Sequence, residues 1–243
     1  MKEVEYEILH TRPLTADVFE LTLRGDTGEI TAPGQFLDLK IPGYYLRRPI
    51  SVCDWDAGRA ALVCRVAGAG TAQLRAMRAG EKLAALSGLG NGYDMAKSGD
   101  RPLLIGGGAG VPPLYGLCRR LIEKGRTPRV ILGFNTAAER FFEEEFQALG
   151  AETAVTTADG SYGIRGFVTD AMKGLDFTSF YACGPAPMFR AILRATDRPG
   201  QLSLEARMGC GFGACMGCTI ETVNGPKRIC KDGPVFDREA LTW

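Results

Sequence analysis

Residues 103–113 read Leu103-Leu104-Ile105-Gly106-Gly107-Gly108-Ala109-Gly110-Val111-Pro112-Pro113. Three apolar residues make a short buried strand, and the glycines let backbone come close to a ligand. The paired prolines then open a helix, whose first N–H groups have no partner in any case. Leu114, Leu117, Cys118 and Leu121 recur on one face of that helix, and Gly125 ends it. A strand running through glycines into a helix is where an open α/β sheet takes a dinucleotide. Taken alone the stretch is a weak indicator. The acidic ribose partner expected at the end of the second strand is missing, since Phe134-Asn135-Thr136 follows Gly133.

Toward the C-terminus, Val130–Phe134 reads as a second strand and Ala137–Leu149 as a helix. That helix carries Phe141, Phe142 and Phe146, with Glu139, Glu143, Glu144 and Glu145 on a solvated face. Ser179–Ala182 is another strand, Cys183-Gly184-Pro185 lies at its end on the same sheet edge, and Pro187–Ala195 is a helix. Alternating strands and helices predict a parallel sheet covered on both faces. Toward the N-terminus the pattern changes. Val4–Leu9, Val18–Arg24, Gln35–Ile41, Ile50–Asp54 and Ala61–Val66 are β-branched and aromatic runs separated by Pro/Gly turns, which predicts a small antiparallel barrel with one helix over Thr71–Arg78. The fold class is therefore mixed α/β with an all-β part. Residues 1–98 form the barrel, 99–197 an αβα nucleotide domain, and 198–243 a small C-terminal module too short for a core of its own.

Composition bounds the function. There are 29 basic and 28 acidic residues, so no electrostatic footprint for nucleic acid or an anionic membrane exists. No apolar run approaches the ~18 residues of a membrane span, and MKEVEYEILH has no signal-peptide character. A cytoplasmic protein without nucleic-acid or membrane partners is expected. The single histidine, His10, excludes a multi-histidine metal site and a histidine-dependent hydrolase. Glycine is unusually frequent, 32 residues or about 13% against an average near 7%.

Four of the eight cysteines fall within residues 210–230. In a chain with no apolar leader, such clustering favours metal ligation over disulfides. Cys210-Gly-Phe-Gly-Ala-Cys215-Met-Gly-Cys218 followed by Cys230 has the C-x4-C-x2-C…C spacing of plant-type [2Fe–2S] proteins. Structural zinc is the rival, but it usually pairs two C-x2–4-C knuckles and the second is lacking. Met208 and Met216 read as packing residues. In the barrel, Arg48-Pro49-Ile50-Ser51 after Arg47 suits an anionic flavin phosphate and a ring, or is simply a strand entered through proline. Gly68-Ala69-Gly70-Thr71 suits a pyrophosphate at a helix N-terminus with Thr71 as N-cap, or is a plain capped turn. Cys183 reads as a buried thiol rather than a nucleophile.

The order of these motifs resembles the ferredoxin–NADP reductase superfamily: a barrel with RPIS, a GxGT before a helix, GGGAGVPP, then CGP. Glu205–Cys218 and Ile229-Cys230-Lys231-Asp232-Gly233-Pro234-Val235-Phe236 narrow it to a family, the electron-transfer subunits of class 1B dihydroorotate dehydrogenases. The resemblance spans essentially the whole chain. It implies FAD held by Arg48, Pro49, Ile50, Ser51, Val63, Cys64, Arg65, Gly70 and Thr71. It implies NAD against Gly107, Gly108 and Gly110, with Cys183 and Gly184 beside the nicotinamide. It implies a [2Fe–2S] cluster on Cys210, Cys215, Cys218 and Cys230. Gly88–Gly92 is family-like without an assigned contact.

The three groups make chemical sense together. Nicotinamide exchanges a hydride, a cluster exchanges single electrons, and a flavin does both. The chain offers no evident base for oxidising a substrate carbon, so the resemblance places that step on an FMN-containing catalytic partner, in a heterotetramer of two plus two. Two alternatives remain: the small flavoprotein subunit of a ferredoxin–NADP reductase or glutamate-synthase-like complex, and a zinc-stabilised interaction module without flavin. NADP would want a cation near the second strand, where only Arg140 is available.

Overall fold

In the first part of the chain alternate side chains turn inward, as half-covered strands require. The computed structural model describes residues 1–243. It places β1 (Lys2–Pro13), β2 (Val18–Arg24), β3 (Phe36–Lys40), β4 (Arg48–Asp56), β5 (Arg59–Arg65) and β6 (Lys82–Leu89) in a closed antiparallel barrel of order β1-β2-β5-β4-β3-β6. Tyr6, Ile8, Phe19, Leu21, Leu37, Leu39 and Leu62 fill it, and Leu74 of helix α1 (Ala69–Ala76) joins the same core. Strand β6 was not anticipated. Its sequence, KLAALSGL, is rich in small residues of weak strand preference, and pairing on both sides with β1 and β3 fixes it as a strand.

The second sheet contains β7 (Pro102–Gly107), β8 (Arg129–Phe134), β9 (Glu152–Thr157), β10 (Ile164–Arg165), β11 (Ser179–Cys183) and β12 (Gly200–Ser203), all parallel. Helices α2 (Pro113–Glu123), α3 (Glu143–Ala148), α4 (Val168–Ala171) and α5 (Ala186–Ala195) lie along it. The chain then forms a hairpin, β13 (Thr219–Thr222) and β14 (Gly225–Arg228), and a turn of helix, α6 (Ile229–Asp232). It returns to the sheet as β15 (Val235–Asp237), antiparallel to β12. The spatial order is β10-β9-β8-β7-β11-β12-β15. Segment 198–243 thus supplies two strands to the central sheet, and residue 198 marks no break in the layer.

The helix expected over Ala137–Leu149 is interrupted. Ala137–Glu139 is a 3₁₀ turn, Phe142 has φ 69°, and only Glu143–Ala148 is α-helical. Phe141 and Phe142 lie in the irregular stretch between that 3₁₀ turn and α3. The left-handed turn at Phe142 buries both, with Tyr115, Phe134 and Phe146 edge-on around them.

Barrel and sheet are locked together. Arg119 and Arg120 of α2 both donate to Asp54 Oδ1, at 2.9 and 2.7 Å, and to the Trp55 carbonyl, at 2.9 and 3.0 Å. The Arg120 guanidinium lies 3.4 Å from the centroid of the Trp55 ring. On the connecting segment, the Tyr93 hydroxyl donates to the Ala182 carbonyl at 3.0 Å, and Tyr181 donates to that of Asp94 at 2.9 Å. No helix is long and apolar enough to cross a membrane.

Candidate functional site

A cleft of about 530 Å³ opens at the carboxyl ends of β7, β8, β9 and β11, the edge where parallel sheets receive ligands. Gly107, Gly108 and Gly184 line it, with Phe134, Met188 and, from the barrel, Arg65. Gly110 and Cys183 do not. They sit one layer behind, packed on each other so tightly that a β-carbon at Gly110 would stand 2.2 Å from the Cys183 carbonyl oxygen. Gly108, at φ 51°, has open space where its β-carbon would be. This floor fits a dinucleotide, because backbone forms its surface with no side chain in the way. The Cys183 side chain is 2% exposed, and burial with nearby Glu205 raises its thiol far above the usual range. A neutral thiol there is a packing group. Glu205, just beyond β12, borders the same cleft, and burial by the surrounding atoms raises its pKa although part of the side chain reaches solvent.

Phe134-Asn135-Thr136 has no acidic group, but one stands three residues further on. In the 3₁₀ turn, Glu139 Oε2 accepts hydrogen bonds from Asn135 Nδ2 at 2.8 Å and from the Asn135 backbone N–H at 3.3 Å. Asn135 and Glu139 both line the cleft. A helix over Ala137–Leu149 would have put Glu139 on a solvated face. The 3₁₀ turn at Ala137–Glu139 instead brings it back over the end of β8. Arg140 is engaged elsewhere: its Nη1 donates to Glu143 at 2.5 Å, and its guanidinium covers the Tyr162 ring at 3.7 Å.

On the barrel, β4 pairs with β3 through Pro49, Ile50 and Ser51, opposite Asp38, Leu37 and Phe36. Arg48 reaches across to α1. A β-carbon on Gly70 would stand 2.9 Å from Arg48 Nη2, so the guanidinium rests directly on the first turn of that helix. Thr71 is not the N-cap. Gly68 is, and Thr71 sits at the third helical position, its hydroxyl accepting from the Ala67 and Gly68 N–H groups at 2.9 and 3.3 Å. The first helical bond is Ala72 N–H to the Gly68 carbonyl, which leaves the amides of Ala69, Gly70 and Thr71 at the helix start beside Arg48. A guanidinium, free amides and a glycine cradle together fit a pyrophosphate. Along β5, Val63 and Arg65 face outward toward the glycine loop of the sheet. Cys64 points into the barrel core, and burial pushes its thiol up to about 12, so only its backbone is available.

The C-terminal cysteines come in two pairs. Cys210 Sγ accepts the N–H groups of Ala214 at 3.2 Å and Cys215 at 3.4 Å, and Cys218 Sγ accepts that of Cys230 at 3.4 Å. Burial acts against ionisation of Cys210, yet the N–H groups of Cys215, Phe212 and Ala214 outweigh it and bring the thiol down to about 6. No three acidic, histidine or cysteine side chains converge on one point. Two thiol pairs suit a cluster with two irons, one pair to each. Glycines at φ 77° (Gly211) and 91° (Gly213) curl the loop, and Arg228 Nη1 holds it by donating to the Gly213 carbonyl at 3.0 Å while bonding Asp232. Cys218 and Cys230 are buried, whereas Cys215, Phe212 and Met216 are exposed. Met216 therefore does not serve as the packing residue expected of it; Met208 packs against the core.

The loop seats on the barrel at Asp38. A β-carbon on Gly211 would stand 2.4 Å from Asp38 Oδ2, and Asp38 itself is 2% exposed, with Oδ1 lacking any hydrogen-bond partner. Burial raises its carboxyl to about 6, opposed by Arg47 and reinforced by Cys210.

Residues 205–242 match the iron–sulfur cluster binding domain of dihydroorotate dehydrogenase B, and residues 104–194 match the oxidoreductase NAD-binding domain. Among curated proteins, the electron transfer subunit of dihydroorotate dehydrogenase B (NAD(+)) from Geobacillus sp. (strain WCH70) is 43% identical over 250 residues, covering 97% of each chain. That from Bacillus caldolyticus is 45% identical over 239 residues and 93% of each. Among solved structures, an NADH-dependent reduced ferredoxin–NADP oxidoreductase superposes with a TM-score of 0.88 at 29% identity, covering 98% of this chain and 90% of that one. A ferredoxin reductase of carbazole 1,9a-dioxygenase shares the fold, with a TM-score of 0.68 at 20% identity over 79% of this chain and 64% of that one. Paired C-terminal cysteines, a barrel whose Arg48 rests on the start of a helix and a glycine-floored cleft occur here in a chain similar to these relatives over nearly its full length, and the chain belongs to the family of dihydroorotate dehydrogenase B electron transfer subunits.

Proposed function

We propose that this chain is the electron-transfer subunit of a cytoplasmic NAD-dependent dihydroorotate dehydrogenase. It would take electrons from the FMN of a separate catalytic subunit and pass them by way of [2Fe–2S] and FAD to NAD⁺ in pyrimidine biosynthesis, in an assembly of two subunits of each kind. One observation carries this reading: a single barrel joins the other two sites. Its β3 touches the cysteine loop at Asp38–Gly211, and its Arg65 on β5 borders the nucleotide cleft.

The roles follow from position. Arg48, Gly70 and Thr71 hold the FAD phosphates. Pro49, Ile50, Ser51, Val63 and Arg65 present strand surface to its ring, and Cys64 contributes backbone only. When bound, FAD supplies the exchange between hydride and single-electron chemistry. Gly107, Gly108 and Gly184 seat NAD, while Gly110 and Cys183 give the floor its shape. Cys210, Cys215, Cys218 and Cys230 hold the cluster, with the exposed side of the loop turned toward the partner. No residue here abstracts a proton from a substrate carbon, so dihydroorotate is oxidised on the partner.

Purification under anaerobic conditions from native cells tests this. An equimolar FMN-binding subunit, and dihydroorotate-dependent NADH formation that requires both chains, are expected. The structural likeness to the reduced ferredoxin–NADP oxidoreductase favours a second reading with a different flavoprotein partner. Recovery of such a partner, with no dihydroorotate oxidation, would replace the first reading by the second.

A further inference from the structure

Glu139 holds a position that the proposed electron path does not use. The glycine loop that would seat the pyrophosphate follows β7. In a parallel sheet the adenosine ribose then lies over the end of the next strand, here β8, where Asn135 and Glu139 line the cleft. Both hydrogen bonds from Asn135 go to Oε2, and Oε1 has no partner. The turn around it is pinned from the neighbouring strand end: the Ala137 N–H donates to Ser161 Oγ at 2.8 Å, the Ser161 hydroxyl donates to Asp159 at 2.6 Å, and the Asp159 N–H donates to the Asn135 carbonyl at 3.2 Å.

A carboxylate oxygen fixed there accepts a ribose 2′-hydroxyl and repels a 2′-phosphate. The nearby cations do not offset it. Arg140 is paired with Glu143 and stacked on Tyr162. Arg65 is at the barrel end of the cleft and paired with Asp17. Arg165 lies along Gly160 and does not border the cleft. Asp159 adds a second negative charge to the same edge.

We infer that Glu139 is a specificity-determining residue that selects NAD over NADP, by binding the 2′-hydroxyl of the adenosine ribose through Oε1. The inference rests on the NAD reading above and adds the residue that enforces it.

Titration calorimetry on the intact holoprotein tests it with ADP-ribose and 2′-phospho-ADP-ribose, neither of which can accept electrons. The wild-type protein should bind ADP-ribose more tightly. Glu139→Gln should reduce that preference by about tenfold or more, as loss of a charge-assisted hydrogen bond predicts. Glutamine keeps an amide oxygen for both Asn135 bonds, so the turn stays ordered, and Glu139→Ala should shift the preference in the same direction. If Glu139→Gln binds both probes with wild-type preference, Glu139 only orders the turn and the inference is overturned. Equal wild-type affinity for the two probes overturns it as well. If the wild-type protein binds neither probe, the NAD reading itself fails and takes the inference with it.

Discussion

Replacing Gly110 by alanine isolates the geometry of the nucleotide cleft from its chemistry. Gly110 carries no side chain toward the ligand and sits behind the surface that Gly107 and Gly108 present. Its added β-carbon would meet the Cys183 carbonyl oxygen at 2.2 Å, the carbonyl carbon at 2.3 Å and the Gly184 N at 2.6 Å. These are backbone atoms of β11 and the turn after it, with no rotamer to change. Ordinary contact lies more than 1 Å further out, so the glycine loop and the Cys183–Gly184 turn must separate by about that much. Overpacking of this kind costs about 1–3 kcal/mol of stability. A misplacement of about 1 Å at a binding surface costs on the order of a hundredfold in function. The expected result is a loss of ADP-ribose affinity of tenfold to a hundredfold by calorimetry, with FAD content and the visible spectrum of the cluster unchanged, because barrel and cysteine loop are untouched. Gly108→Ala is the matched comparison. Its β-carbon meets no protein atom within 4 Å, so its cost in stability is the positive φ alone, about 1–2 kcal/mol, and any loss of affinity comes from a methyl standing on the cleft floor itself. Wild-type affinity in Gly110→Ala would refute the reasoning, for it would mean that the tight packing of loop on turn does not shape the cleft.

Other perturbations separate the remaining sites. Cys215→Ser should abolish the cluster's visible and paramagnetic signals and electron transfer to the partner, while NADH still reduces the bound FAD; full coupling to the partner in this variant would rule out the cluster as the relay. Arg48→Ala removes the guanidinium from the first turn of α1 and should leave substoichiometric FAD after gel filtration, whereas unchanged occupancy would remove Arg48 from the phosphate site. The Asp38 carboxyl, raised to about 6 by burial, binds its proton more tightly in the folded than in the unfolded chain. Stability should therefore fall as pH rises through the window from about 4 to 6, by roughly 3 kcal/mol in all. Asp38→Asn should lose this slope in urea unfolding at pH 5 and pH 7.5, and an identical pH dependence in the two proteins would contradict the assignment.

Much of the site was legible because its chemistry is local in sequence. The C-x4-C-x2-C spacing puts three thiols on one loop, whatever that loop packs against. The glycines of 106–110 and the prolines after them dictate a tight strand-to-helix turn with little help from the remainder of the fold. Residues whose role depends on direction were harder to read. Cys64 lies between Val63 and Arg65, yet a strand sends it to the opposite face, into the barrel core. Thr71 is a good N-cap by residue type, but Gly68, three residues earlier, takes the extended cap conformation and draws the hydroxyl back.

The sequence by itself determined the two architectures, through a switch from strand-like runs between Pro/Gly turns to alternating strands and helices, and its cysteine spacing named the candidate cluster ligands. Tertiary structure decided where the parts meet. Strands β12 and β15 draw the C-terminal segment into the central sheet, because their hydrogen bonds need neighbours that no local pattern names. It also decided that Glu139 faces the nucleotide cleft. The helix is broken at Phe142, and the aromatic core into which Phe141 and Phe142 pack comes from Tyr115, Phe134 and Phe146, residues brought together only by folding.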